Sequence, residues 1–188
     1  MKKFLSTILC LGAALFLSPS FAQTSMMDRT VMVGGAPMYP SKNIIENAVN
    51  SKDHTTLVAA VKAAGLVQTL SGPGPFTVFA PTNEAFDKLP KGTVSTLLET
   101  SHKDQLIKVL TYHVVSGRLS ADKLMAMVKS SGGKAILKTV QGEDLYVSEK
   151  RHHLMLTDAS GRMAEITIAD VNQSNGVIHV INRVLLPK

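Results

Sequence analysis

Phe76-Thr77-Val78-Phe79-Ala80-Pro81-Thr82-Asn83-Glu84-Ala85-Phe86 is the stretch on which the fold turns. Phe76 to Ala80 is an apolar run on both faces of a pleat, the pattern of a strand covered on both sides. Pro81 stops it, because proline has no N–H for the ladder and holds Ala80 extended. Thr82 can then cap a short helix over Asn83–Phe86, its hydroxyl accepting from an orphan N–H. Phe79 and Phe86 flank the proline, and Phe86 is expected to fold back onto the strand.

The segments before and after this unit differ in texture. Upstream, Ser41 is expected to cap a helix carrying Ile44, Ile45, Ala48 and Val49. Asp53 is expected to cap the next, with Leu57, Val58, Val61 and Ala64 at helical spacing and His54 solvated in its first turn. Downstream, Thr93 and Ser120 are cap positions for helices burying Val94, Leu97 and Leu98, and Leu124, Met125 and Val128; between them Leu106, Ile107, Val109 and Leu110 line a third. Tyr112-His113-Val114-Val115 reads as the start of an extended segment. Beyond Gly132-Gly133 come short extended runs at 135–140, 144–147, 154–157, 164–171 and 177–186, separated by polar turns. Asn175-Gly176 has the composition of a tight hairpin turn in which both residues take positive φ. A helical half followed by a strand-rich half implies an α+β domain, with helices packed on an antiparallel-rich sheet.

Three segments resemble one known family. FTVFAPTNEAF is similar to the first signature of the fasciclin domain. Asn175-Gly176-Val177-Ile178-His179-Val180-Ile181-Asn182-Arg183-Val184-Leu185-Leu186-Pro187 resembles its second, and Thr111-Tyr112-His113-Val114-Val115 its central Tyr-His motif. Their order and separation fit over residues 41–187. The resemblance implies a compact mixed fold and a secreted or surface-attached module of adhesion and interaction. It also implies that Tyr112-His113 is either a contact site, as that region is linked to receptor contact in animal members, or a structural pin. Asn182 departs from the family pattern, which usually has aspartate there, and its apolar flanks suggest that it is buried.

The amino terminus has its own logic. Lys2-Lys3, the apolar stretch Phe4–Leu17 and the small residues before Gln23 form a secretory signal peptide, expected to be cleaved after Ala22. Cleavage would remove 22 of the 188 residues and leave 166, a length that suits one domain. The sole cysteine, Cys10, lies in the leader, so the mature chain has no disulfide, thiolate metal site or cysteine nucleophile. Two charges behind the formal +6 belong to Lys2 and Lys3, leaving a scattered +4. Without Trp, and with most aromatics in apolar runs, a nucleic-acid surface is set aside. No later segment is long and apolar enough for an integral membrane span. Residues 23–40 read as a linker or an arm lying along the domain. Their methionines, Met26, Met27, Met32 and Met38, are read as adaptable packing rather than copper ligands, because no histidine accompanies them.

Chemistry is harder to place. There is no Gly-x-Ser-x-Gly elbow, His-Glu-x-x-His pair or phosphate-cradling loop. Glu84, Asp87, Asp104 and Asp170 are dispersed along the chain and could still converge. His113 and His179 fall in apolar segments and read as core imidazoles, since a third metal ligand at suitable spacing is lacking. His152 and His153 are adjacent, point to opposite sides of an extended chain and read as solvated. The expectation is therefore a secreted or periplasmic, non-enzymatic binding module without cofactor or metal, whose partner is a protein or a cell-surface or matrix component. An envelope binder of a small ligand, lipid or metal is the rival reading, and a hydrolase with dispersed residues a more distant one.

Overall fold

The computed structural model describes residues 29–188. The leader and Met26 and Met27 lie outside that range. Two short strands come first, β1 (Val31–Val33) and β2 (Ala36–Met38), then α1 (Ile44–Ala48), α2 (Thr55–Ala64) and α3 (Val67–Ser71). β3 (Phe76–Pro81) is followed by α4 (Asn83–Asp87), α5 (Thr93–Leu98) and α6 (Lys103–Tyr112). Then come β4 (Val114–Ser116), α7 (Ala121–Ser130) and five strands: β5 (Lys134–Lys138), β6 (Asp144–Lys150), β7 (His153–Thr157), β8 (Met163–Gln173) and β9 (Gly176–Ile181).

The main sheet has the order β4-β3-β9-β8-β7-β6-β5. Five of its neighbouring pairs are antiparallel, and β3 with β9 is the parallel one. Past β5 the chain returns to β4, where the Val140 N–H donates to the Val114 carbonyl at 2.8 Å, so the sheet curls toward closure. The apolar pattern of β3 follows from this topology. Phe79 faces a core inside the curl, with Tyr112, Leu124, Leu145 and Ile181. Val78 and Ala80 face a second core against the helices, with Ala60, Val61, Leu106 and Leu110.

Local signals explain several ends. Thr82 caps α4, its hydroxyl accepting from Ala85 N–H, and Ser120 caps α7, accepting from Lys123 N–H. Elsewhere the caps differ from expectation. Asn43, not Ser41, caps α1 through a capping box with Glu46, which competes better because it satisfies two orphan donors at once. Asp53 lies in a 3-10 turn over Lys52–His54, and α5 starts after Gly92 rather than at a Thr93 cap and buries no residue fully. Tyr112 closes α6 instead of opening a strand, and β9 stops at Ile181.

Tertiary contacts decide three further points. Residues 31–38 are a hairpin whose Val33 and Met38 enter the second core, so of the linker and the arm this part takes the form of an arm packed on the domain; Met32 points out, 59% exposed. Phe86 is buried beside the end of β3, in a third cluster with Ala85 and Val184. At the β8–β9 hairpin the turn residues are Ser174 and Asn175, and neither they nor Gly176 take positive φ. Gly176 is needed for another reason: a Cβ there would collide with the Phe76 carbonyl oxygen of β3.

Phe79 is fully buried and its ring stacks on His179 at 5.7 Å between centroids. Phe79→Ala should therefore lower unfolding free energy by about 3–5 kcal/mol in urea titration. An unchanged midpoint would contradict the placement of β3 between two cores.

Candidate functional site

The site is built where α6 ends. Leu106 and Leu110 anchor the helix inward, which brings Tyr112 and His113 beneath the sheet, 0% and 3% exposed. The Tyr112 hydroxyl donates to the Asp144 carbonyl at 2.9 Å and accepts the Ala159 N–H at 3.0 Å. Burial pushes its phenol up to about 12, with the Ala159 N–H opposing that shift. His113 Nδ1 donates to the Val109 carbonyl at 2.8 Å, and Nε2 accepts the Leu185 N–H at 3.0 Å. The His113 carbonyl accepts the Phe79 N–H at 2.9 Å. One residue thus joins the strand of the first signature to the tail of the second. Burial drives its imidazole down to about 4, against a smaller opposing effect of the Val109 carbonyl and the Asp158 carboxylate.

Asp158 completes the clamp on the tail. Its Oδ1 accepts the Ser160 and Arg162 N–H groups, and its Oδ2 accepts Arg162 Nε and the Leu186 N–H, all at 2.9–3.0 Å. Four donors compensate a carboxylate that is 2% exposed. Its sequence signal was the turn Asp158-Ala159-Ser160-Gly161, with Asp first and Gly last, which the apolar-pattern reading passed over. Further on, the Lys188 N–H donates to Glu143 Oε2 at 2.9 Å, and chiefly for that reason the Glu143 carboxyl sits below its usual range.

The other signature residues also act on backbone. Asn83 Oδ1 accepts the Thr56 N–H at 3.0 Å and its Nδ2 donates to the Lys52 carbonyl, so it caps α2 from a distance where His54 supplies no side-chain cap. Asn175 accepts the Ile44 N–H and donates to the Leu70 and Gly72 carbonyls, tying α1 and α3 to the hairpin. His179 donates from Nε2 to the Leu119 carbonyl at 2.8 Å and accepts the Asp170 N–H at Nδ1. Burial lowers its pKa, with the Leu119 carbonyl and Asp170 opposing. Asn182 is half-buried just past β9, not enclosed. Its Oδ1 accepts the Glu165 N–H at 2.9 Å and its carbonyl accepts Lys88 Nζ, while Arg183 is exposed.

The structure separates the remaining histidines. His54 is buried, not solvated, because the 3-10 turn rolls its ring under the first hairpin and α2. Burial lowers its pKa; the Ala80 backbone and the Asp53 carboxylate offset part of this, although Nε2 makes no hydrogen bond among the described residues. His152 lies in a turn with φ of 66°, and His153 Nδ1 is 2.8 Å from Glu165 Oε1. Among the described residues no three His, Cys, Asp or Glu side chains are placed to hold one metal ion. Both ring nitrogens of His113 and of His179 are spent on backbone groups.

Comparison with known proteins gives a consistent relationship. The fasciclin domain profile matches residues 52–187. The match starts later than residue 41, although the hairpin and α1 pack on the same core. Protein sll1483 of Synechocystis sp. is 42% identical over 169 residues, 89% of this chain and 86% of that protein. Immunogenic protein MPB70 of Mycobacterium bovis is 34% identical over 145 residues, 74% of this chain and 66% of that protein. Transforming growth factor-beta-induced protein ig-h3 of Sus scrofa is 38% identical over 148 residues, 79% of this chain but 20% of that protein. Among solved structures, a FAS1 domain pair from the insect cell adhesion molecule fasciclin I matches with a TM-score of 0.71. That match covers 79% of this chain and 52% of the other at 19% identity, a likeness of fold.

Three buried neutral histidines, His54, His113 and His179, make stability depend on pH. Unfolded, each titrates near 6.5; folded, each is lowered, so the unfolded chain binds more protons as pH falls. Their contribution is complete above about pH 6.5 and is lost as pH drops toward the folded-state values. His113 alone, at about 4 when folded, accounts for roughly 2 kcal/mol lost between pH 7.5 and 5. Urea titrations at those two pH values should show at least that loss, and His113→Gln should shrink it. Equal stability at both would contradict the buried neutral imidazoles.

Proposed function

Because the chain belongs to the fasciclin domain family, we propose that it is a secreted or periplasmic binding module, without enzymatic activity, acting in cell adhesion or in cell-surface and matrix interaction. The observation that carries the reading is a division of labour between inside and outside. Most polar groups of the signature segments, those of Thr82, Asn83, Tyr112, His113, Asn175, His179 and Asn182, engage backbone, which makes them pins of a rigid scaffold. What the scaffold displays is the outer face of β5–β8. Ile136, Tyr146, Thr157 and Met163 stand in register across those four strands, and Ile136 and Met163 are 57% and 41% exposed. Lys134 Nζ lies 4.1 Å from the Tyr146 ring centroid, and Lys138 pairs with Asp144 at 2.7 Å, so the stripe has a polar rim. An apolar centre with aromatic character and a charged margin suits a protein or matrix partner.

The adhesion sense of the reading comes by analogy from the insect adhesion molecule that shares the fold. The basic leader and its small-residue exit support export, and no described helix is long and apolar enough to cross a membrane. Immobilised protein should retain a partner from envelope or matrix extracts. The surface variant Ile136→Asp/Met163→Asp should lose that partner at least tenfold with an unchanged melting temperature. Equal retention by both proteins would sink the assignment of this face.

A further inference from the structure

Packing between α1, α2 and the sheet is incomplete. A cavity of about 50 Å³ is bounded by Met38, Ile44, Leu57, Val61 and Ile178, all apolar, and by His54. It holds about four water-sized groups, since one needs roughly 10–15 Å³. Half-buried Ile45 and Val58 and exposed Val49 continue its lining to the surface. Of the polar residues at its edge, Ser51 is paired with His54, both ring nitrogens of His113 are spent on backbone and Lys62 is exposed, which leaves the His54 ring. That ring is 3% exposed, its Nδ1 lies 2.8 Å from Ser51 Oγ, and its Nε2, on the side of the Ala80 backbone, makes no hydrogen bond of normal length and angle among the described residues.

Those features select a class of ligand. Water in an apolar cavity wants two to four polar partners, and this wall offers it one free nitrogen. A molecule with an aliphatic body and a single polar atom matches the wall better, burying its carbons while pairing the nitrogen. The Ser51 hydroxyl sets the polarity of that nitrogen. If it donates to Nδ1, Nε2 carries the proton and meets a carbonyl; if it accepts from Nδ1–H, Nε2 meets a hydroxyl. We propose that this cavity is a binding site for a small neutral molecule with a short aliphatic body and one hydroxyl or carbonyl group, held at His54 Nε2. The site is separate from the outer sheet face and independent of what that face binds.

The test uses the full protein with 15N-labelled histidine at pH 7.5 and 1-butanol, butanone and pentane as probes. Butanol and butanone should each move the His54 Nε2 resonance along a saturable curve, whereas pentane, which has no polar atom, should leave it in place. Val58→Trp, at the mouth, should abolish the response with His54 intact; Val58→Phe serves if the larger ring prevents folding. A shift linear in probe concentration and equal in the variant would overturn the proposal. So would an Nε2 already hydrogen-bonded to water that neither probe displaces.

Discussion

The His113 imidazole accepts the Leu185 N–H at 3.0 Å while its other nitrogen donates to the Val109 carbonyl, and its own carbonyl accepts from Phe79. Helix α6, the central strand β3 and the carboxyl-terminal tail therefore meet at one residue. Each of these bonds engages backbone, so the arrangement depends on the imidazole staying neutral with a proton fixed on Nδ1. A protonated ring would present Nε2–H to the Leu185 N–H, donor against donor. Enclosure keeps the ring neutral, and the same enclosure denies it to solvent. So enclosed, the side chain has almost no surface of its own to offer.

That requirement extends through the fold. β3 lies between two cores, and the parallel pairing with β9 brings Gly176 against Phe76 more closely than a side chain permits. The polar residues carried into these cores, His113, His179, Asp158 and Asn47, each pair with backbone or with one another. His54 departs from the rule, since among the described residues Nε2 makes no regular hydrogen bond and lies beside an apolar cavity. Among the described residues it is the one buried side-chain nitrogen that a ligand could still satisfy.

Much of the architecture was legible in local patterns. The double-faced apolar run of β3, its proline stop, the Thr82 and Ser120 caps and the change from helical to alternating texture all read directly, because each depends on residues within a turn or two. What could not be read depends on contacts far apart in sequence. Asn83 caps α2 from a different segment, and Asn175 reaches back to Ile44, 131 residues away. The pairing that makes residues 31–38 a hairpin gains its stability from Val33 and Met38 entering a distant core. Asn175-Gly176 has hairpin composition and does border a hairpin, yet Gly176 answers to the β3 backbone and not to turn geometry. His54 reads as solvated because its neighbours in sequence are polar; its burial, like that of Asp158, comes from neighbours in space.

The most direct test of the account is amide hydrogen exchange at Leu185, in the native protein and in His113→Ala at neutral pH. The Leu185 N–H should be protected to the same order as the Phe79 amide in the native protein. In the variant it should exchange like an open chain while the β7 amides stay protected. A Leu185 amide that exchanges freely in the native protein, or keeps its protection after His113→Ala, would contradict the imidazole as the joint of the fold.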